Sequence, residues 1–293
     1  MAGRTFVRLA RETDRPTVLA FTEHTWEWGD YPPLVWDRWL AEPGNRLLVA
    51  AGRQGPVGMA HVVMAAPGEA WFEGLRVDPE FRERGIATGL TRRCLREAIK
   101  LGAGVARFIT AGANEPVHRI AAGVGFERVA VIIPCRSGVL SGGLPADRPQ
   151  ATDTAAVFAF LSRSEVLSAM AGVLNSGWRF RSLNETALTE AVAQGLLRVV
   201  KRSGAVAGVA VLVPSRDETE FNIGFVDGET EALPGLALGL SSEAAALGAA
   251  RVTAWVPDIP RLKTALVAAG FQPTPEDSLW LFQRALWPRL KWV

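Results

Sequence analysis

Residues 73–90 read Glu73-Gly74-Leu75-Arg76-Val77-Asp78-Pro79-Glu80-Phe81-Arg82-Glu83-Arg84-Gly85-Ile86-Ala87-Thr88-Gly89-Leu90. Leu75 and Val77 alternate as a strand does, and Asp78 and Pro79 end it. From Ile86 the residues Leu90, Cys94, Leu95, Ala98 and Ile99 recur at helical spacing. The pattern predicts a strand feeding a helix through a tight basic turn. Arg82, Arg84, Gly85, Ala87, Thr88 and Gly89 place two cations among small residues, so backbone amides at a helix start can approach an anion such as a diphosphate. The plainer alternative is an ordinary turn whose glycines relieve sterics and whose arginines are solvated.

The chain around this turn has 293 residues, enough for two domains with proper cores. It is 48% hydrophobic and 21% charged with a net charge of +2, and neither half holds the basic excess of a nucleic-acid binder. No apolar run reaches membrane-spanning length, and the first residues hold no apolar signal core, so a cytoplasmic protein working without nucleic acid or membrane is expected. Two cysteines, Cys94 and Cys135, offer no disulfide framework. His24, His61 and His118 lack zinc-ligand spacing, so no metal is expected.

In its setting of strand end and long amphipathic helix, the turn resembles the acetyl-CoA signature of the GNAT superfamily of acetyltransferases. That signature is Gln or Arg, two residues, Gly, one residue, then Gly or Ala, and Arg82, Gly85 and Ala87 fill those places. Element order agrees. A strand at 6–9 precedes helices near Val18 and at 24–39, strands at 47–51, 57–64 and 73–77, the long helix to Lys100, a strand at 105–110, a helix at 116–122 and a strand from Phe126. The fold class expected is α/β with a mixed sheet.

Residues 139–149 are rich in Gly and Pro and read as a linker, after which the pattern begins again. Thr13-Asp14 recurs as Thr152-Asp153, Gly58 as Gly208, Val77-Asp78 as Val226-Asp227, and Gly125-Phe126 as Gly270-Phe271. Gly85, Ala87, Gly89 and Leu90 recur as Gly235, Ala237, Gly239 and Leu240, with offsets drifting from 139 to 150. Two tandem GNAT-like acyl-CoA N-acyltransferase domains are expected, 1–138 with the intact signature and 150–293 as a degenerate copy. In the copy Ala232 and Pro234 stand where Arg82 and Arg84 do, and Asn222 lies in the neighbourhood of Glu73's place.

The resemblance implies an N-acetyltransferase that uses acetyl-CoA as co-substrate, with a primary amine attacking the thioester directly. The amides and side chains of Arg82, Arg84, Gly85, Ile86, Ala87, Thr88 and Gly89 would hold the diphosphate, the backbone at Leu75 and Val77 would align pantetheine, and Asn114 would flank it or serve as a plain N-cap. Glu73 is the candidate general base. The tyrosine that the family often uses as general acid falls at Ala121 here. Tyr31, the sole tyrosine, His118 or water would then supply the proton. Trp26, Glu27, Trp28 and Asp30 are candidates for binding a cationic acceptor, a small-molecule amine or a protein amino group, or else part of a core. The rival reading is a catalytically inactive acyl-CoA-binding or regulatory protein. A monomer and a homodimer are both compatible with the sequence.

Overall fold

The computed structural model describes residues 5–23, 25, 29–140, 142, 143, 146–215 and 219–286. In chain order the first elements are β1 (Phe6–Leu9), α1 (Arg15–Thr22), α2 (Pro32–Ala41), β2 (Arg46–Gly52), β3 (Gly55–Ala66), β4 (Glu69–Val77), α3 (Ile86–Lys100), β5 (Val105–Ala111), α4 (Glu115–Gly123) and β6 (Glu127–Gly138). There follow α5 (Thr154–Leu161), α6 (Glu165–Ala169), β7 (Val173–Asn175), β8 (Phe180–Ser182), α7 (Glu185–Ala193), β9 (Leu197–Arg202) and β10 (Ala205–Val213). The chain closes with β11 (Glu220–Gly228), α8 (Leu233–Ala246), β12 (Arg251–Pro257), α9 (Pro260–Ala268), β13 (Gln272–Pro273) and β14 (Leu279–Ala285). The fold is mixed α/β, and the order three antiparallel strands, helix, parallel strand, helix occurs in each half, after two helices in the first and after three helices and the β7–β8 hairpin in the second.

The chain forms two compact units. One holds the residues up to Phe108, Asn114–Glu127 and those from Phe282 onward; the other holds Ile109–Ala113 and Arg128–Leu281. The units therefore do not divide at 139–149, as the linker reading had it. Strand β6 carries Arg128 onward into the second unit because it pairs antiparallel with β12 from Ile132↔Pro257 to Gly138↔Arg251. The 139–149 stretch is tied down within that unit: Leu140 N–H donates to Ser241 Oγ at 2.7 Å, Gly143 N–H to Ser242 Oγ at 2.9 Å, and Asp147 exchanges two backbone hydrogen bonds with Val199, each 2.9 Å.

In the first unit β1, β2, β3 and β4 run antiparallel in that order, and β5 joins β4 in parallel. Helix α3 lies on this sheet with Ile86, Leu90, Cys94, Leu95 and Ala98 buried. From Phe282 onward the chain's last strand belongs to this unit. Phe282 stacks on Phe108 at 5.0 Å, Phe126 meets the edge of Phe108 at 5.0 Å, and Leu286 N–H donates to Gly104 O at 2.9 Å. The second unit orders β9, β10 and β11 antiparallel, β12 parallel to β11, and β6 antiparallel to β12.

The repeated residues do repeated work. Asp14 accepts the Arg11 amide at 2.7 Å and Asp153 the Gln150 amide at 2.9 Å, each closing the 3-10 turn before a helix. Asp14 closes that turn rather than capping α1 with its side chain, because Arg8 takes both its oxygens at 2.6 and 2.7 Å. Gly58 lets α3 approach β3, since a Cβ there would lie 3.2 Å from both Ile86 and Leu90. Gly208 does so for α8, 3.2 Å from Leu236.

Candidate active site

Strand β4 holds the site by being irregular. Its register against β3 runs Gly58↔Val77, Met59↔Arg76 and then His61↔Glu73, so β4 has one residue more than β3 across this interval. Gly74 occupies the bulge with a φ of 68°, and a Cβ there would lie 2.8 Å from two ring carbons of Trp39. Backbone conformation and the indole together demand glycine. The bulge sets Glu73 opposite His61.

Beyond Val77 the chain forms a built loop. Asp78 accepts the Glu80 amide at 3.0 Å and opens a short 3-10 turn, Pro79–Phe81. Glu83 and Gly85 then take φ of 61° and 75°, and Gly85 is the N-cap of α3. Arg82 and Arg84 are exposed. Arg84 is steadied by the Glu80 carbonyl at 2.8 Å and by the Phe81 ring, 5.1 Å below its guanidinium. The amides of Ile86, Ala87 and Thr88 form the first turn and have no helical acceptor. The Gly89 amide donates to Gly85 O at 2.9 Å, so it belongs to the helix and not to the cradle as expected. Open space lies beside Gly85, where a Cβ would meet nothing within 4 Å. Three free amides at the positive end of a fifteen-residue helix, flanked by two guanidinium groups, fit a diphosphate such as that of CoA.

On the other side of Leu75 the side chains form one connected group. Glu73 Oε1 lies 3.0 Å from His61 Nδ1, and the fully buried imidazole stacks on Trp39 at 4.1 Å and 8°. Trp39 meets the edge of Tyr31 at 5.7 Å, and the Arg76 guanidinium lies over the Tyr31 ring at 5.3 Å. Arg76 donates to both oxygens of Asp30, at 2.7 and 2.9 Å, and to Leu75 O at 3.0 Å. Tyr31 is 39% exposed. Desolvation of its ring raises the phenol above its ordinary pKa; the Glu73 and Asp30 carboxylates add to the rise, and Arg76 and a hydrogen bond at the Gly74 backbone oppose it.

The structure thus brings Glu73, Tyr31 and Asp30 together, and adds His61 and Arg76, which sequence reasoning missed. The hairpin gives only a near miss: counting back from the Pro67–Gly68 turn pairs position 73 with position 62, and an irregularity between Met64 and Ala66 moves its partner to His61. Asp30 does not present an open carboxylate to an amine. Its side chain is fully withdrawn from water and both oxygens serve Arg76. Trp26, Glu27 and Trp28 lie outside the described residues. Trp36 and Trp39 belong to the core. His118 tilts against Phe282 at 5.5 Å, on the aromatic cluster. Asn114 caps α4, its Oδ1 accepting the Val117 amide at 3.4 Å, and Ala121 is buried with its carbonyl closing the helix end.

Residues 14–126 match the model of the Acetyltransferase (GNAT) family. This segment belongs to the GNAT superfamily. The GNAT segment has a curated relative in the Histidine N-acetyltransferase of Scomber australasicus, 36% identical over 95 residues, which make up 32% of this chain and 28% of that protein. Solved GNAT structures share the fold. A GCN5-related N-acetyltransferase from Sphaerobacter thermophilus superposes with a TM-score of 0.63 at 15% identity over 97% of this chain and 96% of its own. The glucosamine N-acetyltransferase region of a fungal multi-domain GH3 β-N-acetylglucosaminidase gives 0.61 at 14% identity over 97% of this chain and 38% of that one.

The second unit's counterpart of the GNAT cradle offers fewer donors. Glu229 O takes the amides of Ala232 and Leu233 at 2.9 and 3.0 Å, Pro234 has no amide, and Leu236 N–H returns to Ala232 O. Gly235 is the third residue of α8, so pairing it with Gly85, the residue before a helix, is corrected. Asn222 likewise is not the counterpart of Glu73. It pairs with Val213 and accepts a short hydrogen bond from Thr253 of β12, while the register three residues past Gly208 sets Val211 opposite Phe225.

Proposed function

We propose that the first unit is an acetyl-CoA-dependent N-acetyltransferase acting on a primary amine, and that the second is a degenerate copy of the same domain. Acetyl-CoA, when bound, supplies an acetyl group activated as a thioester, with CoA thiolate as leaving group. The Ile86, Ala87 and Thr88 amides, with Arg82 and Arg84, hold its diphosphate, and the backbone of β4 at Leu75 and Val77 aligns the pantetheine. Of the other expected residues, Asn114 caps α4, Tyr31 is taken as the acid because it lies in the group that holds Glu73, and His118, beside the Phe282 ring, is given no role.

Glu73 takes a proton from the acceptor's ammonium, directly or through one water, because only the neutral amine has the lone pair that attacks. Tyr31, its phenol raised in pKa, keeps its proton in neutral solution and donates it to the departing sulfur. The acceptor is a small amine, with amino acids the first class to test, given the name of the curated relative. The observation that carries this reading is the grouping of Tyr31, at the start of α2, with Glu73 on the strand that leads to the cradle.

The test is calorimetric binding of acetyl-CoA followed by thiol release with an amino-acid panel that includes histidine. One site per chain, lost in Arg82→Ala with Gly85→Asp, and turnover lost in Glu73→Gln, are expected. Binding without turnover across every amine class would favour an inactive acyl-CoA-binding protein, and two sites per chain would overturn the degenerate reading of the second unit.

A further inference from the structure

We propose that His61 is a positioning residue for the transfer reaction, holding Glu73 in one orientation and supporting it as a carboxylate. The inference rests on the reading of Glu73 as base. His61 sits in a run of β3, Pro56 to Val63, that is otherwise apolar and buried, where a polar ring costs stability unless it is bonded. Its bond is to Glu73, Nδ1 to Oε1 at 3.0 Å, and with Glu73 as the carboxylate that the base reading requires, which only accepts, Nδ1 is the donor. The ring cannot swing away: it lies flat on Trp39, whose own far edge fills the space that a Cβ on Gly74 would need.

The fold itself does not need a histidine here. Three residues beyond the matching glycine, the second unit has Val211 opposite Phe225, and its strands pair as well. Where no base is called for, the pair is apolar. In the first unit one oxygen of Glu73 is fixed by His61. A hydrogen bond donated to a carboxylate also favours its charged form. Among the described residues, the charged and titratable groups that face Glu73 are His61 from β3 and Tyr31 from the start of α2, and Arg76 and Asp30 join the group through Tyr31.

The experiment measures kcat and KM across pH for His61→Phe, His61→Asn and His61→Gln, with acetyl-CoA affinity and Tm recorded for each. Phenylalanine keeps the stack on Trp39 and removes the donor. Its kcat is expected to fall about tenfold, with KM for acetyl-CoA unchanged and the acid limb of the profile moved up by about one pH unit. Asparagine places an amide near the Nδ1 position and restores most of both; glutamine reaches the Nε2 position and does not. A merely structural role would make asparagine and glutamine equivalent, which overturns the proposal even if the phenylalanine variant does not fold. A wild-type kcat and acid limb in His61→Phe also overturns it. Should Glu73→Gln keep full activity, the base reading itself fails; a dead Glu73→Gln beside a silent His61→Phe refutes the positioning role alone.

Discussion

From Val77 to Ile86 the chain uses eight intervening residues, and from Gly228 to Leu233 it uses four. Both connections join the third strand of an antiparallel run to a helix that packs back onto it, and both helices rest on a glycine of the neighbouring strand. The longer connection has room for a 3-10 turn, two left-handed residues and two arginines, and it leaves three amides free. In the shorter one Glu229 O takes the Leu233 amide and Pro234 has none, and its exposed side chains include the carboxylates of Glu229 and Glu231. Packing the helix needs only small residues; holding a diphosphate needs the extra loop.

A second contrast lies where each parallel pair of strands ends. In the first unit the β4–β5 register stops at Trp71↔Arg107, and Glu73 and the bulge follow. In the second the β11–β12 register stops at Ile223↔Ala254, and farther along β11 Asp227 is held in an ion pair with Arg261. Asp227, 1% exposed, receives both Nη atoms of Arg261 at 3.0 Å, Ser164 Oγ at 2.5 Å and the Gly228 amide at 2.7 Å. A fully bonded buried carboxylate serves the fold and leaves nothing for a substrate.

The contrast is open to direct attack. Glu73→Gln is expected to cut kcat about a hundredfold with acetyl-CoA affinity unchanged, read by thiol release; Phe225→Glu, its register counterpart, is expected to add no activity. Arg261→Ala should strand the Asp227 charge and cost about 3 kcal/mol in urea unfolding, and a second acetyl-CoA site appearing in calorimetry would break the comparison. Of the paired glycines, Gly58→Ala should cost about 2 kcal/mol, because its Cβ meets the Arg76 carbonyl at 3.0 Å as well as two side chains. Gly208→Ala should cost less, since the flexible end of Leu236 can give way.

The smallest effect concerns acid. Burial alone would raise Asp14, but the Arg8 guanidinium and the Arg11 amide together hold it below its ordinary value; Asp153 is lowered chiefly by its hydrogen bond from Lys201. A depressed carboxyl stabilises above its unfolded pKa, and that contribution is lost as pH falls through the lower folded one. Stability should therefore decline below about pH 4, and Asp14→Asn should flatten that decline more than Asp153→Asn does, because the Asp14 pair is buried and the Asp153 pair is exposed. Acid titration of urea midpoints checks it.

The sequence by itself determined the local parts. Alternation and helical spacing placed β4 and α3, with α3 ending at Lys100 as read, and the glycine at position 85 marked the turn into the helix, because turns and caps are written in neighbouring residues. The Asp14/Asp153 and Gly58/Gly208 pairs were legible for the same reason. Only the tertiary structure decided which distant residues meet. The bulge at Gly74 put Glu73 against His61, twelve residues away, and Arg76 against Asp30, forty-six away. It also decided that β6 leaves its own half for β12, while Phe282 of the last strand stacks beside Phe108. A strand carries no local mark of its partner: register and partner are set by which edge and which apolar seat complete the burial, and that sum is taken over the whole fold.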